Sequence, residues 1–467
     1  MKTVAFHNLG CKVNSYELEV MQQKLQDKGY LIVPFDSVAD IYIINTCTVT
    51  NMADRKSRQM LHRAKQRNPQ AVVVAAGCYV QSGGKSAEQD ESIDLLVGNN
   101  RKKDIVEILE DYLRRRAEQT GTPDKTLGGT TVTDINHTYE YEEMQLRHTS
   151  EHTRAYIKIQ DGCNQFCSYC EIPYARGRVR SRRAEDILTE IGALAGAGYK
   201  EVVLTGIHIS SYGIDFDGQA WAEGRSVRSE GKEHPEYTGD SKLIDLVERI
   251  QGIPGLERIR LGSLEPRIVT PETAERLAAV KGLCPHFHLS LQSGCDETLK
   301  RMNRHYTTGE YLTAVELLRK AFVNPAITTD VIVGFPGETE EEFGETRAFL
   351  EKVGFYEMHI FKYSRRAGTA ADKMPNQLPE QVKTARSNEL LAMEKRQSAE
   401  FRRAYIGREA EVLLEDTEEI QGELWRIGHT PDYVRVAVKP EGTVENTIVK
   451  VPVQGFLTEE ILVSLEF

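Results

Sequence analysis

Residues 161–182 read DGCNQFCSYCEIPYARGRVRSR, placing Cys163, Cys167 and Cys170 in a C-x3-C-x2-C run trailed by Arg176, Arg178, Arg180, Arg182 and Arg183. Thiolates are ligands for soft metals, and a structural zinc site closes with four ligands. Three thiolates fall one short, whereas a 4Fe-4S cluster can be held by three and keep one iron open for a substrate or cofactor. Two other readings compete: a zinc knuckle completed from a distance by Cys284 or Cys295, or three unrelated buried thiols. Neither later cysteine belongs to a paired C-x2-C, the usual zinc spacing, and this favours the cluster.

A second set of thiols is scattered. Cys11 follows NLG, Cys47 follows INT and Cys78 follows AAG, each at or just past the end of an apolar stretch. A lone cysteine is most often a small buried hydrophobe. Three at strand carboxyl ends converge, because those ends form the ligand-binding rim of an open α/β sheet.

The elements that must position these thiols follow from periodicity. Over residues 1–113, KTVAF, ADIYIINT and AVVVAAG alternate with amphipathic stretches, YELEVMQQKLQDKGY and a helix from about Ala53 to Arg67. That order predicts a flavodoxin- or Rossmann-like parallel sheet. Residues 114–150 are polar, rich in Thr and Gly, and read as a linker. Across 151–380, RAYIKI, EVVLTG, RIRLGS, FHLSLQ, TTDVIVG and MHIFKY are separated by helical stretches, which predicts a partial (β/α)6 barrel with chemistry at the strand carboxyl ends. A helix over 381–402 leads to short strands at 403–467, a small β-barrel of the oligonucleotide-binding size class. The fold class is therefore α/β with a terminal β domain. Residues 215–240, charged and glycine-rich, read as a surface insertion without a catalytic role.

At 467 residues and 40% apolar, the chain can bury several cores. Its first residues lack the apolar stretch of a signal peptide, and the longest apolar run, AVVVAAGC, is far short of a membrane span. A cytoplasmic protein with no membrane partner is expected, so the eight cysteines suit metal or catalytic use better than disulfides. The net charge of -11 argues against a uniformly basic nucleic-acid binder, though not against local basic patches.

With Tyr169 before the third thiol the run is C-x3-C-x-aromatic-C, which resembles the cluster motif of the radical S-adenosylmethionine superfamily. The resemblance implies a 4Fe-4S cluster on Cys163, Cys167 and Cys170 whose open iron chelates the methionine of S-adenosylmethionine, with Tyr169 beside its adenine. It further implies that the bound cofactor is cleaved reductively to a 5'-deoxyadenosyl radical. Gly206 in LTGIHISSYG, Glu265 in GSLEP, Ser290 and Gln292 in HLSLQSG, and Gly334 and Phe335 in DVIVGFPGET are the implied cofactor contacts.

The continuation IPYARGRVRSR, the cysteine-bearing first domain and the terminal β domain together resemble the methylthiotransferases over essentially the whole chain. In that family Cys11, Cys47 and Cys78 would hold a second 4Fe-4S cluster that carries the sulfur, fed by a sulfur donor and an external electron donor. One departure is Glu171, where the family suggests an aliphatic residue.

Family substrates are a modified adenosine beside the tRNA anticodon or an aspartate of a small-subunit ribosomal protein. LGCKVNSYE (9–17) and GHTPDYVRV (428–436) resemble the threonylcarbamoyladenosine tRNA branch, which implies the tRNA anticodon stem-loop as partner and a TRAM-like terminal domain. Basic residues of 54–67, among them Arg55, Arg58 and Arg63, together with Arg176 and Arg180 suit a phosphate backbone; the 381–403 helix, Tyr433 and Arg435 are further candidate contacts. Against this, residues 401–467 carry seven Lys and Arg but thirteen Asp and Glu, which better suits a basic protein partner. A reading of another class is an RNA-binding protein with structural metal sites and no turnover.

Overall fold

The computed structural model describes residues 2–118, 121–148, 153–216 and 241–465. From residue 217 onward the 215–240 insertion lies outside the described residues.

The first domain is a five-stranded sheet in the order Leu31–Val33, Thr3–Asn8, Ile41–Thr46, Val72–Gly77, Leu95–Val97, every pair parallel. Numbered along the chain this is 2-1-3-4-5, the flavodoxin-type doubly wound order. VVVAAG is buried at every position, as a central parallel strand covered on both faces requires. The helices Lys12–Asp27 and Asn51–Arg67 start directly behind the first two cysteine-bearing turns. Thr50 caps the second by accepting from the Ala53 amide, and Asp54 complements its dipole. The two three-residue strands escaped the sequence reading because they are too short to show a period.

The segment expected to be a linker is a packed strap. The helix Ile105–Glu118 runs across its start, and beyond that one 3-10 turn, Ile135–His137, is its sole regular element among the described residues. Leu127, Met144 and Leu146 nevertheless join the core of the first domain. Sparse apolar residues at irregular spacing anchor a chain without making it a helix or a strand.

All six expected barrel strands are present: Ala155–Lys158, Glu201–Thr205, Arg258–Leu261, His286–His288, Ala326–Val333 and Glu357–Lys362. They form two parallel three-stranded sheets joined by the parallel bridges Ile259–Leu283 and Leu264–Leu289, so the strands follow one another in chain order around an open barrel. Alternate residues such as Val202, Leu204, Ile259 and Phe287 enter the core beneath the helices. Their neighbours, Glu201, Arg260, His286 and His288, face the lumen.

The helix Glu380–Arg403 leads to a six-stranded mixed sheet, with Arg435–Val438 and Leu462–Ser464 as its one parallel pair. Its core, including Val412, Val436 and Leu462, continues into Ala326 and Tyr356 of the barrel. The terminal domain is thereby seated on the amino-terminal end of the barrel.

Candidate active site

The radical loop begins right after the first barrel strand. A short antiparallel ribbon pairs Gln160–Asp161 with Arg180–Ser181, and the three thiols lie in the loop that it closes. Gly162 takes φ +72°, and a Cβ there would overlap the carbonyl of Arg178, so the turn demands glycine. The Cys163 amide donates to the Gly177 carbonyl (3.0 Å) and the Ser168 amide to Met302 (2.9 Å), pinning the loop across the barrel mouth. Burial, reinforced by the neighbouring Cys167, raises the Cys163 thiol strongly and pushes Cys170 up to about 12. Ligation must displace these protons. The Arg304 guanidinium donates to Cys167 Sγ at 3.2 Å and supplies a fixed positive charge beside the trio.

Around this loop the expected cofactor contacts form one rim. Tyr169 meets Phe335 edge to face at 6.3 Å, and Phe335 meets Tyr363 at 5.4 Å. The turn at Gly206 is held by Gln160, whose side-chain oxygen accepts from the amides of Ile207 (3.0 Å) and His208 (2.8 Å). Glu265 accepts from Gln165 of the cysteine loop (3.2 Å) and faces His208 Nε2 (3.1 Å). Burial pushes its carboxyl up, but the His208 bond and the charges of His208, Arg304 and Arg267 prevail and hold it at about 2. The Ser290 carbonyl accepts from the Tyr306 hydroxyl (2.6 Å), and Gln292, at φ +73°, donates to Asp330 (2.9 Å). The Gly334 amide donates to Glu338 (2.7 Å).

The second trio lies at the other domain's strand ends. Cys11 follows strand one and Cys47 strand three, the two sides of the switch point of the 2-1-3-4-5 order, with Cys78 next along the rim. Gly10 lets the first two approach: at φ +108° it leaves the space that a Cβ would occupy 2.9 Å from Cys47 Sγ. Asn14 ties the strand ends together through the carbonyls of Leu9 (2.6 Å) and Thr46 (3.0 Å). Burial pushes Cys47 up to about 11, and the thiols of Cys78 and Cys11 are close enough to contribute. Cys11 reaches the exposed edge of the rim, yet its thiol is also raised by the surrounding protein.

Neither trio closes around a single ion. Among the described residues, the one trio of His, Cys, Asp or Glu whose ligand atoms all lie within 4.8 Å of each other is His288, Asp330 and His359. Two open sets of three thiols, each with an arginine at its side, fit clusters in which separate irons take separate thiolates.

Three residues bring the rims together, and no motif signalled the first two. Arg366 bonds Glu171 behind the radical loop (2.7 Å from its Nε), and Thr48 (2.7 Å), Asn51 (2.8 Å) and Asp54 (2.7 Å) behind Cys47. The unexpected Glu171 is thus one half of an interdomain clamp. Asn99 donates to Ala175 (2.7 Å) and reaches Cys78 Sγ (3.5 Å). Arg176 donates to Asn14 (2.6 Å) and to Glu17 (2.9 Å) and lies within electrostatic reach of the second trio.

The expectation that Arg176 and Arg180 touch phosphates is corrected. Both are fully buried, Arg176 paired with Glu17 and Asp161 at the domain boundary and Arg180 facing Asp161. Lys158 and Lys102 share Glu17 in the same network, where a buried charge requires a partner. Tyr433 is half-buried: the guanidinium groups of Arg154 (5.0 Å) and Arg260 (4.8 Å) lie over its ring, which stacks on His429 (4.7 Å). Arg435 pairs with Glu418 at 2.6 Å. On the helix Asn51–Arg67, Arg55, Arg58 and Arg63 are exposed, with Arg63 held by Asp36 at 2.9 Å; together with His62 they line a shallow groove.

Comparison with known proteins agrees with this geometry. Residues 157–350 match the radical SAM superfamily, and residues 3–98 match an uncharacterized protein family, UPF0004. The chain is 38% identical over 454 residues to threonylcarbamoyladenosine tRNA methylthiotransferase MtaB of Bacillus subtilis, covering 97% of this chain and 94% of that protein. The chain belongs to the radical S-adenosylmethionine methylthiotransferases, on the threonylcarbamoyladenosine tRNA branch. The protein of the same name from Aquifex aeolicus is 39% identical, with 88% of this chain and 92% of that protein covered. A tRNA-2-methylthio-N(6)-dimethylallyladenosine synthase of Clostridium botulinum is 34% identical over 87% of this chain and 85% of its own. Among solved structures, the radical S-adenosylmethionine methyltransferase TsrM of Kitasatospora setae, with cobalamin and a 4Fe-4S cluster bound, shares the fold at a TM-score of 0.54 and 17% identity, covering 79% of this chain and 77% of that one. No helix among the described residues is long and apolar enough to cross a membrane.

Proposed function

We propose that this chain replaces the C2 hydrogen of N6-threonylcarbamoyladenosine, beside the tRNA anticodon, with a methylthio group. In this reading Cys163, Cys167 and Cys170 hold the radical cluster, and Cys11, Cys47 and Cys78 hold a second 4Fe-4S cluster that takes up the sulfur. The observation that carries the reading is the meeting of two cysteine rims through Arg366 and Asn99, on a chain whose relatives over nearly its full length bear that name.

When bound, the radical cluster and S-adenosylmethionine supply hydrogen abstraction, with electrons from an external donor and sulfur from a separate donor. The protein's own residues do the rest. Tyr169 and Phe335 wall one side of the cofactor rim, and the ionised Glu265 offers an acceptor to its polar groups. Arg304 and Arg176 keep a positive charge beside each set of thiolates. The exposed Arg55, Lys56 and Arg58, directly behind the Cys47 turn, present cations to the phosphate backbone of the stem-loop. A loop base is unpaired and can be splayed into the gap.

The acidic terminal domain, which favoured a ribosomal-protein substrate, is less acidic at its surface than its sum. Glu411 pairs with Arg258 at 2.9 Å and Glu415 with Arg154 at 2.8 Å, beneath the barrel. Mass spectrometry of tRNA nucleosides from a deletion strain, with and without the chain restored, tests the reading. The methylthio derivative of threonylcarbamoyladenosine is expected to vanish and return, and its persistence in the deletion strain would overturn the assignment.

A further inference from the structure

The two stretches that carry the branch resemblance, 9–17 and 428–436, are far apart in sequence, yet Lys12 of the first and Tyr433 of the second lie within electrostatic reach of each other. Lys12 opens the helix Lys12–Asp27, which packs against the first barrel strand, and it shares an electrostatic neighbourhood with Tyr433, Arg154, Arg260 and Glu201. Tyr433 sits at the base of the lumen, its ring 5.0 Å from that of His286.

Charge in this lumen is unevenly paired. Arg260 salt-bridges Glu201 at 2.7 Å, Arg258 salt-bridges Glu411 at 2.9 Å and Arg154 salt-bridges Glu415 at 2.8 Å. Asp432, in the same turn as Tyr433, bonds the hydroxyl of Tyr405 on the other side. Lys12 makes no such pair among the described residues. His286 is 8% exposed, and its Nδ1 lacks a hydrogen-bond partner. An unpaired ammonium and an orphaned ring nitrogen in one partly dry space are costly unless a ligand satisfies both.

The lumen also has a direction. His288, whose Nε2 is 3.4 Å from Asp330, and His286 lie on the same face of their strand, which leads down from the cofactor rim. A base whose C2 edge lies between the two cysteine rims can therefore send its N6 substituent down this path. The threonylcarbamoyl substituent ends in a carboxylate.

We propose that Lys12, Arg154 and His286, gathered around the Tyr433 side chain, form a pocket that binds the threonyl carboxylate and so selects the modified base. The proposal rests on the threonylcarbamoyladenosine reading above. Arg154 contributes through N–H groups beyond the Nε that Glu415 takes, and the Arg260 guanidinium lies over the Tyr433 ring at 4.8 Å. Charge-assisted bonds of this type give selectivity because the pocket is left unsatisfied when the carboxylate is missing.

The test uses cluster-loaded protein of matched iron content and three anticodon stem-loop oligonucleotides, carrying threonylcarbamoyladenosine, its methyl ester or plain adenosine. Wild type is expected to bind the acid about tenfold more tightly than the ester, the scale of one charge-assisted bond. Lys12→Met should erase that gap while leaving affinity for plain adenosine unchanged, and Lys12→Arg should keep it; His286→Leu should narrow it. A gap that survives both Lys12→Met and His286→Leu overturns the pocket. So does a Lys12→Met weakening equal on all three oligonucleotides, which would mark Lys12 as a general backbone contact. If wild type prefers the acid and ester equally over adenosine, the pocket fails and the substrate reading stands; if it prefers neither, both fail.

Discussion

Cys163, Cys167 and Cys170 occupy one loop closed by a two-residue ribbon, whereas Cys11, Cys47 and Cys78 arrive from three strands of a sheet. The first trio is positioned by local backbone: a left-handed Gly162 and a few loop hydrogen bonds are enough. The second depends on sheet register, because shifting a strand by one residue turns every side chain to the other face. Their charge environments differ in the same way. Arg304, beside Cys167, belongs to the barrel itself, but Arg176 reaches the second trio from across a domain boundary. One set of thiols therefore has its charge partner within its own domain and the other only when the domains dock.

Cysteine replacement should break the comparison most sharply. Cys163→Ala, Cys167→Ala or Cys170→Ala should abolish S-adenosylmethionine cleavage altogether. Cys11→Ala, Cys47→Ala or Cys78→Ala should leave reductive cleavage intact and abolish methylthiolation, both followed by chromatography of the products. Methylthio product from any of the latter variants would sink the two-cluster reading.

Next in size is the clamp. Arg366→Leu removes bonds to both rims at once, and a displacement of about 1 Å between reacting groups costs roughly 10²-fold in rate. Methylthiolation should fall by about that factor while cleavage of S-adenosylmethionine continues, and the magnetic coupling between the two reduced clusters in electron paramagnetic resonance should change. Equal loss of both activities would mean that Arg366 merely stabilises the fold.

Glu265 sharpens the barrel side. Its folded pKa of about 2 lies below its ordinary 4.5, so its contribution is fully present above pH 4.5 and disappears as pH falls from there toward 2. The shift corresponds to roughly 3 kcal/mol. Denaturation of Glu265→Gln at several pH values should show lower stability at neutral pH and a flatter acid limb; an unchanged acid limb would remove Glu265 from the ionised network.

The smallest effect belongs to the helix behind Cys47. Neutralising Arg55 or Arg58 should weaken stem-loop binding uniformly across loop sequences and lower the salt slope by about 1 for each phosphate that is no longer neutralised. Arg176→Gln, by contrast, should alter the second cluster and the docking of the domains rather than the salt slope, because Arg176 is buried.

Legibility in the sequence followed how local each feature is. The C-x3-C-x-aromatic-C loop lies within ten residues and could be read directly, as could the six barrel strands, whose apolar runs carry their own periodicity. Cys11, Cys47 and Cys78 became a site only through the rule that parallel strands end on one rim. The arginine-rich tail misled: five arginines in eight residues suggest a phosphate surface, yet Arg176, Arg180 and Arg182 are buried against Glu17, Asp161 and Glu190. Charge spacing reveals nothing about acids that arrive from another domain. Residues 114–150 read as a linker for a related reason, since the apolar anchors Leu127, Met144 and Leu146 show no period.

Sequence by itself determined the radical-cluster motif, the order of three domains and the family, because motif spacing and strand period are properties of contiguous residues. Only the tertiary structure decided that Glu171 is held by Arg366, that Asn99 spans the two rims, and that Lys12 and Tyr433 lie within electrostatic reach of each other. Each of those joins residues more than 70 positions apart. Such pairings are set by how buried charges find partners when the domains close, and no local pattern encodes which partner that is.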